Sequence, residues 1–228
     1  MYQYAYERPA LATDCVIFGF DGGELKLLLL KREKAPFENT WALPGGFVFM
    51  HETTETAAKR LLQEKAGITN VFIEQLYTFS RIDRDPRERI VSVSYFALVN
   101  KTQFALIAGR DTIQAEWYPI SALPELGFDH QEIVSVAIER LKGKVRYQPI
   151  GFELLDLKFT LSQLQAVYEA ILQTPIDKRN FRKKIIGMGL LRQLDEKEQN
   201  VPRKAAFYYS FDKKAYTEFT QKGFHFEL

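Results

Sequence analysis

Apolar and polar positions along the chain change period several times, and the changes mark out its elements. Two apolar-rich runs, TDCVIFGF and ELKLLLLKRE, flank Asp21-Gly22-Gly23 and predict a β-hairpin. TWALPGGFV predicts a short extended segment that ends in a glycine loop. TTETAAKRLLQEKAG predicts a helix, with Thr53 or Thr54 as N-cap and Gly67 just past its end. VFIEQLYTFSRI and IVSVSYFALV predict strands joined by the charged loop DRDPRER. AEWYPISALPEL predicts a strand and a proline-punctuated connection, and HQEIVSVAIERLKGKV a second helix. Strands and helices mixed in this order imply an α/β (α+β) layered domain over residues 10–145.

The pattern changes near Pro149. Thr160-Leu161-Ser162-Gln163 has the form of a capping box and opens a helix. Leu161, Leu164, Val167, Tyr168 and Ile171 give that helix one apolar stripe. A turn follows, then Asp177 as N-cap of a short basic helix stopped by glycines. LLRQL and KAAFYYSF are strand-like runs around the polar turn DEKEQNVPR. Helix, turn, basic helix and hairpin is the order of a winged helix-turn-helix. The expected domains are residues 1–148 and 149–228, with no flexible linker between them.

Composition narrows the class. The 228 residues are 46% hydrophobic and 26% charged, as in ordinary globular proteins. No apolar run reaches about 18 residues, so no membrane span is expected. The first residues lack the charged start, apolar core and cleavage site of a secretion signal, so a cytoplasmic protein is expected. Cys15, the single cysteine, lies in the apolar run DCVIFGF and reads as a buried, inert thiol. The net charge of +2 is unevenly spread. Residues 1–150 hold 18 basic and 19 acidic side chains, whereas residues 178–204 hold 9 and 3. That asymmetry points to two domains with different partners.

The first helix carries candidate chemistry. Positions 61, 64 and 65 share one helical face, and carboxylates there could jointly hold Mg²⁺. The residues present are Leu61, Glu64 and Lys65. Leucine offers no ligand, and an ammonium beside a cation repels it by roughly 1–4 kcal/mol, depending on screening. The stretch from Gly46 to Ile68 resembles the signature of the Nudix hydrolases, G-x5-E-x7-R-E-U-x-E-E-x-G-U, where U is a bulky aliphatic. Gly46, Glu52, Arg60, Leu62, Glu64, Gly67 and Ile68 match it, behind LPGG; Leu61 and Lys65 depart from it. Both departures fall where family members carry metal-binding glutamates. The resemblance implies a Nudix-like α/β/α sandwich, and it implies that Arg60 orients a helix glutamate. With two ligands replaced, the expectation is a pocket without an enzyme: no catalytic residues, no metal site and no cofactor. Glu64 reads as a solvated residue or partner of Arg60, as a residual metal ligand, or as a direct ligand contact.

The candidate effector-binding residues are Asp14, Lys31, Gly46, Glu52, Arg81, Asp83 and His130, in or beside the strands and loops facing the glycine loop. Arg81 could pair with Asp83 or with a ligand oxygen. His130, at a helix start, reads as a cap or a ligand.

In the basic helix, Phe181, Ile185 and Met188 form the core face. Lys178, Arg179, Asn180, Arg182, Lys183 and Lys184 cover the rest, and Arg203 and Lys204 lie in the hairpin turn. Cations there can neutralise phosphates, and Arg or Asn can read base edges in a major groove. The segment FTLSQLQAVYEAIL with DKRNFRKKI resembles the C-terminal domain of Nudix-related transcriptional regulators of bacteria. With both motifs in order, the chain is most similar to the arabinose-responsive branch of Bacteroidetes. The resemblance implies a ligand-responsive regulator, a repressor acting as a homodimer on double-stranded operator DNA. Its effector would be a pentose such as L-arabinose, or a nucleotide sugar such as ADP-ribose. An active Nudix hydrolase with an accessory DNA domain, and a non-catalytic RNA-binding or scaffolding protein, are the alternatives.

Overall fold

Strand β1 (Ala10–Asp21) is buried at every position from Ala12 to Phe18, so both of its faces are covered. Such a strand belongs in the middle of a sheet. In the computed structural model, which describes residues 5–199, 205–224 and 226–227, it does. β2 (Glu24–Arg32) follows the Gly22-Gly23 turn and lies beside it. β6 (Ile90–Leu98) runs parallel to β1 on the other side, and β5 (Glu74–Phe79) lies antiparallel to β6 at the edge. β3 (Trp41–Ala42) and β7 (Thr112–Pro119) pair with β2, and β4 (Gly45–Phe47) pairs with the start of β1. The β1–β4 register places Asp14 opposite Gly45 and Thr13 opposite Gly46.

Helix α1 (Thr54–Ala66) has Thr53 as its N-cap, whose hydroxyl accepts from the Thr56 N–H, and Gly67 as its C-cap. It buries Ala57, Ala58, Leu61, Leu62 and Ala66. Ala58, Leu62 and Ala66 meet Cys15, Ile17, Leu28, Leu30 and Tyr95 of the sheet. Burying one such leucine contributes about 1.5–3 kcal/mol, more than its helix propensity can. Cys15 is wholly buried, and that burial drives its thiol far above the usual cysteine range. The expected inert thiol is therefore what the fold contains. Helix α2 (His130–Lys144) buries Ile133, Val134, Ala137 and Leu141. The architecture is a mixed α/β fold.

The C-terminal elements are α3 (Leu161–Leu172), α4 (Lys178–Gly187), β8 (Leu191–Lys197), β9 (Phe207–Phe211) and α5 (Lys213–Gln221). The capping box closes as expected: the Gln163 N–H donates to the Thr160 hydroxyl, and the Thr160 N–H donates to the Gln163 side chain. All five residues of the α3 stripe are buried, as are Phe181 and Ile185 of α4. β8 and β9 form the antiparallel wing, and Phe159 bridges to Tyr209 beside it. Helix α5, capped by Asp212, is an addition to the expected elements. Its apolar residues Ala215, Tyr216 and Phe219 do follow a helical spacing, although the expected elements stop at the wing.

The chain forms two compact units. One comprises the chain up to Gly19 with Lys26–Ile138, and the other comprises Phe20–Leu25 with the chain from Glu139 onward. Among the described residues, no helix is long and apolar enough to cross a membrane.

Candidate ligand cavity and nucleic-acid interface

In the first unit, β1, β2, β4, α1 and the β5–β6 loop enclose a cavity of about 320 Å³, the size of a small-molecule site. At its base lies a buried polar cluster. Arg84 donates twice to Asp129, at 2.8 and 2.7 Å, and once to Asp14, at 3.2 Å. The Ser92 hydroxyl donates to Asp14 at 2.6 Å. The Leu43 N–H donates to His130 Nδ1 at 2.9 Å, so that nitrogen carries no proton and Nε2 faces Asp14 Oδ1 at 3.4 Å. Burial alone would raise the Asp14 carboxyl; His130, Arg84 and Ser92 outweigh it and hold the group below the usual carboxylate range. Gly45 is required beside this cluster, because a Cβ there would collide with Asp14 Oδ1 and the Thr13 carbonyl.

The wall above the cluster is strongly cationic. Arg32, Lys34, Arg60, Lys65, Arg84, Arg87 and Arg110 line the cavity against Asp14, Glu64, Asp85 and Asp111. Phe47, Phe49 and Phe128 supply aromatic surface. Arg32 lies 4.9 Å over the Phe128 ring and Arg60 4.1 Å over Phe49. Arg87 is held by a two-point pair with Asp85, at 2.9 and 2.7 Å.

Of the expected effector residues, the fold brings Asp14, Gly46 and His130 to this cavity. His130 is neither a helix cap nor free; it ties Leu43 to Asp14. The other four lie outside the lining. Lys31 sits between Leu30 and Arg32, which do line it, so strand alternation turns Lys31 to the opposite face. Glu52 is bound by Arg60 at 2.6 and 2.9 Å, which with the Phe49 N–H holds its carboxyl at about 2. Arg81 pairs with Asp83 at 2.9 Å and with Glu132 at 3.4 Å, all exposed. Arg84, Asp85 and Arg87 escape a reading of the sequence because DRDPRER has the composition of a solvated charged loop. Their carboxylate partners across the sequence, Asp14 and Asp129, are the only signal that could have found Arg84.

Two positions of the metal box, Leu61 and Lys65, carry no carboxylate. Leu61 is buried, with Cδ2 2.8 Å from where a Gly46 Cβ would stand. Glu64 is paired with Arg60 at 3.3 Å, the orienting contact that the resemblance implied. Among the described residues, no three acidic, His or Cys side chains group as a metal site.

In the second unit, α4 exposes Lys178, Arg179, Asn180, Lys183 and Lys184. Among the described residues none of these four cations has an ion pair. Arg182 differs from the expectation of a wholly exposed cation. It is half-buried, and Nη2 donates to Ser162 of α3 at 3.0 Å while Nε is buried without a partner among the described residues. Arg203 and Lys204 lie outside the described residues.

A mixed α/β sheet with a Nudix loop-helix, followed in the same chain by a winged helix, defines the class. The NUDIX domain family matches residues 8–137, and the NrtR DNA-binding winged helix domain family matches residues 151–211. This chain belongs to the NUDIX family and carries an NrtR-type winged helix. It is 35% identical, over 89% of its length and 82% of the relative's, to the ADPR responsive transcriptional repressor NtrR of Acinetobacter baylyi. It is similar to NrtR of Shewanella oneidensis in complex with a 27mer DNA, with a TM-score of 0.77, 33% identity, and 88% and 93% of the two chains covered. It is also similar to the NUDIX domain of that protein in complex with ADP ribose, with a TM-score of 0.56, 34% identity, and 60% and 91% covered.

Proposed function

We propose that this chain is a DNA-binding transcriptional repressor whose Nudix unit holds an ADP-ribose-type effector without hydrolysing it. The observation that carries this is one chain holding both a cationic cavity behind an altered metal box and a helix with unpaired, exposed cations. Seven cations against four carboxylates suit the anionic diphosphate of such a ligand. Phenylalanine rings suit its base. The Acinetobacter relative responds to ADPR, and the Shewanella domain was crystallised with ADP ribose, which supports the same effector class. L-arabinose, the pentose that the resemblance to the sugar-responsive branch implies, carries no charge to meet this lining and takes second place. The Shewanella relative bound to a 27mer DNA supports DNA as the partner, and the exposed cations of α4 make it the helix assigned to contact it. Helix-turn-helix proteins read two-fold operators as dimers, so a homodimer is part of the reading.

Incubating the full chain with ADP-ribose and Mg²⁺ tests it. The melting temperature is expected to rise, because the ligand binds only the native state, and the ADP-ribose is expected to remain intact. Turnover that disappears in Glu64→Gln would favour a hydrolase. Stabilisation by L-arabinose with ADP-ribose silent would favour the pentose.

A further inference from the structure

Every cation of the cavity lining but one already has an oxygen partner. Arg32 donates to the Pro36 and Lys34 carbonyls, and Lys34 pairs with Asp111 at 2.5 Å. Arg60 is held by Glu52 and Glu64, Arg84 by Asp129 and Asp14, and Arg87 by Asp85. Arg110 lies 3.6 Å from Asp111. The Lys65 ammonium alone has no hydrogen bond or ion pair among the described residues, although its side chain lines the cavity and is partly buried. That burial lowers its ammonium from the ordinary lysine value, against the pull of Asp111. Leaving a charge in this state is unfavourable unless something else meets it.

A bland role for Lys65 would be to complement the C-terminal end of α1. That end is already satisfied. The N–H groups of Ile107, Gly109 and Arg110 donate to the carbonyls of Ala66, Lys65 and Glu64, at 3.4, 3.2 and 3.3 Å. Gly109 permits this approach, since a Cβ there would collide with the Glu64 carbonyl. The helix end and the loop are thus locked together by backbone. The Lys65 side chain is left over, at a position of the metal box where a carboxylate would have bound a cation.

We infer that Lys65 is a ligand-binding residue whose ammonium meets the diphosphate of the effector directly, so that the cavity binds it without a divalent metal. This rests on the ADP-ribose-type reading of the cavity. The cavity's other cations are engaged and act as a fixed positive field. Lys65 is the remaining donor and meets the phosphate oxygens, and Leu61 fills the space that a second metal ligand would need.

Calorimetric titration of the full chain with ADP-ribose, first in EDTA and then in excess Mg²⁺, tests this. The Kd is expected to agree within about twofold between the two conditions. Lys65→Gln is expected to weaken binding roughly 10- to 100-fold, the effect of removing one partner of a partly desolvated charge pair. Lys65→Arg keeps the charge and is expected to recover most of that loss. Binding that needs Mg²⁺, or a Lys65→Gln Kd equal to that of the wild type, overturns this inference and leaves the effector standing. The metal comparison uses the wild-type chain and stands even where a variant folds poorly. No binding of ADP-ribose to the wild type in either condition overturns the effector reading, and this inference with it.

Discussion

Replacing Arg84 with methionine is expected to destabilise the Nudix unit by about 3–5 kcal/mol. The change leaves Asp14 and Asp129 buried with no guanidinium between them. The guanidinium they share is itself almost wholly buried, so solvent screening does little to soften the loss. For a unit of this size the melting temperature should fall by roughly 10–20 °C. The pH dependence gives the mechanism. In the wild type the Asp14 carboxyl lies below its ordinary value of 3.8, so its contribution is present above that pH and is lost as pH falls through the lower, folded value. In Arg84→Met the carboxyl keeps His130 and Ser92 but loses the guanidinium, so it moves up from its wild-type value and its stabilising contribution shrinks. The gap between variant and wild type should therefore narrow as pH falls below the ordinary value of 3.8, where the wild type loses the larger contribution. A gap that is small at neutral pH, or that widens on acidification, would contradict the assignment of the cluster as an ion network. Circular-dichroism melts over that pH range measure it.

The second large effect concerns α4. Lys183→Ala with Lys184→Ala removes two exposed cations that have no ion pair among the described residues. Duplex binding is expected to weaken by about 10- to 100-fold, and the slope of log affinity against log salt to fall by roughly one for each phosphate no longer neutralised. Arg182→Ala should behave differently. That side chain bonds to Ser162, so its removal should disturb α3–α4 packing and melting as well as binding. An unchanged salt slope in the double variant would move the DNA-binding surface elsewhere. Anisotropy titrations at several salt concentrations separate these outcomes.

Much of the fold is legible in the sequence because its signals are local. The Thr53 cap, the Thr160–Gln163 capping box and the α3 stripe each lie within a dozen residues and need no distant partner. The cavity is only partly legible, because its chemistry is long-range. Asp14, Arg84 and Asp129 come from three separate segments, and a loop rich in both charges looks solvated until its carboxylate partners are placed. Lys31 shows the cost of a one-residue error in a strand. Its neighbour Arg32 points into the cavity and Lys31 does not, and composition cannot tell them apart. Glu52 belongs to the Nudix signature and suits a ligand contact by residue type, but Arg60 takes up both of its oxygens. Helix α5 spans nine residues and buries none of them, and the expected elements do not include it.

The central claim is that a ligand held in a non-hydrolytic Nudix unit changes how the same chain holds DNA. A ligand shifts such an equilibrium only by its differential affinity for the two states. The direct test is the affinity of the full chain for a duplex that it has itself enriched from a random pool, measured with and without saturating ADP-ribose in EDTA. A shift of roughly 5- to 150-fold, with the ADP-ribose recovered intact, is the result the account predicts. An unchanged affinity in the presence of bound ADP-ribose would contradict it.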